Sequence, residues 1–165
     1  MPVVFRDPSP LTDPRLIAVA ERHLGCEVPA GYVELLTTLS NGGPVEPNEL
    51  AGDETGVSVR AFYGVGRDDE WDLVRAAEEW RSVLPDWFLV VGEDSFGNRI
   101  GVSVRQADLG SVWFWDHESL DVAEEAVTRV ARDIASFLAG LGPLTVPEPD
   151  VVSVWVDPDF KPEFD

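Results

Sequence analysis

Apolar residues recur at helical spacing in four stretches of the chain. In the first, Leu16, Ile17, Ala20 and Leu24 fall on one face. Thr12 or Asp13 can cap this helix, Pro14 suits its first position, and Gly25 can end it in the left-handed conformation. A second helix opens at Pro29, carries Tyr32, Leu35, Leu36 and Leu39 as its stripe, and stops at Asn41-Gly42-Gly43. Two short amphipathic helices so close together predict a helical hairpin or corner. A third helix is predicted over residues 69–84, with Leu73, Ala77, Trp80 and Leu84 inward and Asp68, Asp69, Glu70 and Asp72 at its positive N-terminal end. The longest stripe, Val127, Val130, Ala131, Ile134, Phe137, Leu138 and Leu141, predicts a single closing helix that ends at Gly140 or Gly142 before Pro143.

Other stretches alternate or run apolar over a few residues, as strands do. These are Val57–Tyr63, Phe88–Val91, Arg99–Arg105 and Val112–Trp115. The turns between the last three are short, which implies antiparallel pairing. Residues 44–56 read as a loop. Trp113 and Trp115 share one face of their strand, with Val112 and Phe114 on the other; the pattern leaves open which pair turns to the helices. The element order predicts an α+β fold, an antiparallel sheet of about four to six strands flanked by helices. A length of 165 residues suits one compact domain. The domain is assigned to residues 1–142. Residues 143–165 read as an acidic, proline-containing extension whose Val151–Val156 run would add a strand.

Charge narrows the classes of partner. The chain has 31 acidic and 12 basic residues, a formal net charge of −19. Phosphate backbones and anionic membrane surfaces need cationic partners, so neither nucleic acid nor a membrane fits. A basic protein does, although acidity also serves solubility alone. Met1–Asp7 has no long apolar run after a basic start, and no stretch approaches the roughly 18 apolar residues of a membrane span. A cytoplasmic protein is expected. Cys26 is the single cysteine, so no internal disulfide framework is expected.

No catalytic constellation can be assembled from the sequence. His23 and His117 are the two histidines, too few for a zinc site without several other ligands. Asp116-His117-Glu118 are consecutive at a strand end, where side chains rarely converge on one ion. Ser95 lacks the flanking glycines of a nucleophile elbow. Gly64-Val65-Gly66 precedes Asp68, Asp69 and Glu70, which would repel phosphate. The reading is a non-catalytic protein with no cofactor and no metal.

The segment Leu24-Gly25-Cys26-Glu27-Val28-Pro29-Ala30-Gly31-Tyr32, followed by Leu35-Leu36 and Asn41-Gly42-Gly43, resembles the opening of SUKH domains. Residues 90–104, with Gly97 in the turn, resemble the central hairpin of that superfamily. Val112-Trp113-Phe114-Trp115-Asp116-His117 resembles its strand that ends in an aromatic-Asp-His run. The resemblance covers roughly residues 10–142. It implies a binding module with no catalytic residues to carry over. In bacteria, similar domains neutralise polymorphic toxins by direct contact; in fungi, related domains act as cell-wall-assembly regulators. The expected function is therefore an immunity protein that covers a basic toxin domain, with a regulatory scaffold as the alternative.

The candidate partner-binding residues follow from charge and aromatic content. They are Glu46, Glu49, Asp53 and Glu54 in the predicted loop, Asp68, Asp69, Glu70, Trp71 and Asp72 at the predicted helix start, and Trp113 and Trp115 in the sheet. An aromatic set among carboxylates could receive an Arg- or Lys-rich surface. The competing reading makes these residues a solvated helix start and covered sheet aromatics.

Overall fold

A computed structural model describes residues 3–6, 9–50, 56–119, 122 and 124–143. After a short strand β1 (Val4–Phe5), helix α1 (Pro14–Leu24) begins as the sequence suggests. The Asp13 carboxylate accepts the Arg15 N–H at 2.8 Å, Pro14 takes the first position, and Gly25 closes the helix at φ 74°. Helix α2 (Ala30–Thr38) follows at once and buries Tyr32, Leu35 and Leu36. The Tyr32 hydroxyl hydrogen is shared between the Tyr63 and Val91 carbonyls, which pins this helix to the sheet.

Residues 44–56 are not simply a loop. Strands β2 (Gly43–Glu46) and β3 (Glu49–Leu50) lie within or beside that stretch. Val45 is buried between β1 and β4 (Ala61–Phe62), and this tertiary pairing outweighs two flanking prolines that read as loop signals. The predicted strand Val57–Tyr63 shrinks to β4. Its alternation fails because Val57, Ser58, Val59, Ala61, Phe62 and Tyr63 are all buried, leaving only Arg60 exposed. Helix α3 (Leu73–Trp80) starts later than predicted. Asp72 is its cap, accepting the Arg75 N–H at 3.0 Å, and residues 68–71 form a turn before it.

Strands β5 (Phe88–Glu93), β6 (Arg99–Ser103) and β7 (Val112–Trp115) form the expected meander. The long final stripe splits, correcting the single closing helix. Val127–Ala131 is strand β8, paired antiparallel with β7, and only Ile134–Gly140 is helix α4. Val127, Thr128 and Val130 are β-branched, which suits an edge strand. The Asp133 carboxylate then accepts the Ser136 N–H at 2.7 Å and starts the helix afresh. Strand β9 (Leu141–Gly142) pairs with β3 in a separate two-stranded ribbon.

The fold is α+β. Among the described residues the main sheet has seven strands in the order β1-β2-β4-β5-β6-β7-β8, larger than expected and antiparallel throughout. Both faces are covered. Phe62, Ile100 and Phe114 share one face by register, where Phe62 meets Tyr32 of α2 and Phe137 of α4, each at 6.3 Å between rings. Glu93, Arg99, Trp113 and Trp115 share the other, which α3 covers through Trp80. The Val151–Val156 run lies outside the described residues.

Candidate binding surface

Antiparallel pairing fixes which loops meet. β2, β5 and β7 end where β4, β6 and β8 begin, so one end of the sheet carries Glu46, Arg60, the 93–99 turn, and residues 116–119, 124 and 125. Glu49 belongs to the same neighbourhood. Burial first, and then the nearby charge of Asp94, push its carboxyl pKa up. This end is rich in carboxylates. Arg60 lies 3.5 Å from Glu93 and 3.2 Å from Glu70, Arg99 lies 3.9 Å from Glu93, and Arg6 pairs with Glu46. Asp116, Glu118, Glu124 and Glu125 are exposed and, among the described residues, no ion pair joins them to a basic side chain. At the opposite end Arg105 pairs with Asp108 and Arg132 with Asp133, while Asp86, before β5, is exposed with no ion pair among the described residues.

The turn between β5 and β6 is built around a buried carboxylate. Asp94 accepts N–H groups from Phe96 and Asn98 at 2.8 and 2.9 Å, and the Asn98 side-chain amide at 2.7 Å. Asn98 Oδ1 in turn accepts the His117 N–H at 3.0 Å and lies 2.7 Å from His117 Nδ1. The turn and the next connection are thereby fixed to one another. Phe96 stands out from the tip, 73% exposed.

The acidic turn before α3 is less available than its sequence suggests. Arg67 donates Nε to Asp69 at 2.8 Å and its backbone N–H to Asp72 at 2.9 Å, and also reaches the Asn41 carbonyl at 2.7 Å. Asp72 is buried as a helix cap, Glu70 is held by Arg60, and Asp68 stands exposed. Trp71 is half-buried between two of the chain's own arginines, Arg60 at 6.0 Å and Arg67 at 5.7 Å from its ring, so internal cations already occupy its neighbourhood.

Neither sheet tryptophan is laid open. Trp115 is 8% exposed against Trp80, with 5.5 Å between rings. Trp113 is half-buried against Trp87 at 5.0 Å, and Arg105 stacks 3.6 Å from the Trp87 ring. Asp53 and Glu54 lie outside the described residues. The sheet end thus brings Glu46, Glu49 and Glu70 together and leaves Asp68, Asp69 and Asp72 on a separate turn. Sequence reading missed Phe96, Asp94, Glu118, Glu124 and Glu125; the turn signal Gly97-Asn98 marked the tip but not what it displays.

The Arg67 guanidinium, hydrogen-bonded to Asp69, holds that carboxyl below its ordinary pKa of 3.8. A depressed folded-state pKa contributes stability that is complete above the unfolded value and lost as pH falls through the folded one. Asp69→Asn should therefore lower the melting temperature at pH 6. The gap to the parent chain should close below about pH 4, in melts at stepped pH. A constant gap across that range would show that the carboxylate charge contributes nothing.

Reactive groups are sparse at either end. His23 lies exposed with Nδ1 2.9 Å from the Val19 carbonyl. Cys26 is half-buried, its thiol pKa raised by burial and then by Glu21. Asp116, His117 and Glu118 are all exposed, with Asp116 accepting the Glu118 N–H. Among the described residues, no three His, Cys, Asp or Glu side chains are placed to hold one metal ion.

The sequence model of the SMI1/KNR4 family (SUKH-1) matches residues 11–140. The chain belongs to the SMI1/KNR4 (SUKH-1) family. That span takes in both N-terminal helices, the meander, β8 and α4 of the SUKH-1 chain. No similar sequence was found among curated proteins. The SUKH-1 match also gives the Asn41-Gly42-Gly43 motif a structural meaning. Asn41 bonds Val65 through both side-chain ends, at 2.7 and 2.9 Å, and so joins the end of α2 to the segment that follows β4. No described helix is long and apolar enough to cross a membrane.

Proposed function

We propose that this SUKH-1 protein is a non-catalytic, cytoplasmic binding protein of the immunity type. It neutralises a basic toxin domain by seating the acidic end of its sheet on that domain's active site or substrate groove. One observation carries the reading: four exposed carboxylates that no ion pair answers among the described residues, Asp116, Glu118, Glu124 and Glu125, gather at one end of the sheet. Such a one-signed surface speeds encounter with an oppositely charged partner and sets its orientation. The predicted helix start contributes Glu70 to this surface, and Glu46 and Glu49 border it.

The test is affinity purification of the tagged chain from the cells that make it, washed at low and then high salt. The reading predicts one basic, toxin-like protein held in equal amounts and loosened by salt. Several endogenous regulatory proteins held through high salt would instead support the scaffold function suggested by fungal relatives, and would remove the immunity reading.

A further inference from the structure

We infer that Phe96 is the apolar anchor of this binding surface, entering a pocket on a basic protein whose rim supplies Lys or Arg to Asp116 and Glu118. This inference rests on the binding function proposed above. Phe96 is the most exposed of the large apolar side chains among the described residues. Nothing about its backbone is loose. Asp94, itself only 3% exposed, takes the Phe96 and Asn98 N–H groups and the Asn98 amide, and the Asp94 N–H reaches the Asn98 carbonyl at 3.3 Å. Gly97 follows at φ 100°, a conformation that favours glycine, and a Cβ there would sit 3.5 Å from the His117 ring. Asn98 ties the tip to the segment carrying Asp116 and Glu118.

A turn held this firmly presents an aromatic ring that needs little ordering on association, and such rings concentrate binding energy when a pocket desolvates them. The fold gains nothing visible from the ring itself, which lies outside the core formed on either face of the sheet. The carboxylates beside it set the sign of the pocket's rim. The sheet tryptophans, in contrast, are spent on Trp80 and Trp87.

The experiment places a benzophenone amino acid at position 96, or at Leu109, in the full chain inside its native cells. Leu109 is 58% exposed and lies between β6 and β7 at the opposite end of the sheet. Irradiation should yield an adduct with one basic protein from position 96 and none from position 109. In the purified complex with that protein, Phe96→Ala should weaken binding 10- to 100-fold with an unchanged melting temperature. An adduct from 109 but not 96, an acidic protein captured at 96, or a loss under 3-fold for Phe96→Ala would overturn the anchor while leaving a binding protein. Adducts from neither position would overturn the binding function as well.

Discussion

Gly64→Ala should cost at least about 3 kcal/mol, enough to unfold most of the chain at 37 °C. A Cβ on Gly64 would sit 2.0 Å from the Asn41 carbonyl oxygen and 2.6 Å from its side-chain oxygen. Neither can retreat. The Asn41 carbonyl accepts from Arg67, and its Oδ1 accepts from Val65 and from Thr12 at 2.5 Å. Gly42 faces the same junction from the other side. Its own Cβ would lie 2.6 Å from the Gly64 nitrogen, and its φ of 77° disfavours any side chain. The end of α2 and the segment after β4 therefore approach backbone to backbone, which only paired glycines allow. Urea denaturation of Gly64→Ala beside Gly31→Ala, where φ is ordinary and an added Cβ comes no nearer than 4.0 Å to Ile134, separates this crowding from the general effect of alanine. Equal losses at the two positions would remove the explanation.

The second large effect concerns binding. Glu118, Glu124 and Glu125 are exposed, unpaired among the described residues, and collected at the acidic end of the sheet. Reversing all three to lysine should weaken binding to the captured partner about 100-fold at low salt, mostly through slower association. The loss should shrink as salt screens the remaining charges, since the Debye length falls to roughly 3 Å at 1 M. Stability should hold or rise, because a chain of net charge −19 loses self-repulsion. Titration calorimetry at two salt concentrations reads the first effect and a thermal melt reads the second. A destabilised variant would mean these carboxylates have internal partners.

What could be read from the sequence depended on how local its causes are. Helices α1 and α2 declare themselves because Asp13, Pro14, Gly25 and Pro29 act within a few residues of themselves. The β5–β6–β7 meander is legible for the same reason, with short turns between apolar runs. The final stripe misleads because Val127 and Val130 fit a helical period and a β-branched edge strand equally well, and pairing with β7 decides between them. β2 escapes notice because its partners, β1 and β4, are distant in sequence. The site shows the same division. Acidic residues are visible in the sequence, but which of them the chain's own arginines answer is a tertiary fact. Arg67 reaches Asp69 and Arg60 reaches Glu70, while nothing among the described residues answers Glu118. Phe96 is another such case, since an aromatic in a turn looks the same whether it is covered or displayed.

The most direct test of the account is the association rate of the purified chain with its captured partner, measured by stopped flow across ionic strength. Steering by the acidic sheet end predicts a rate that falls at least tenfold between about 0.05 and 0.5 M salt, with the triple reversal slower at low salt and equal at high salt. A rate independent of salt, identical for both proteins, would show that the acidic end takes no part in recognition.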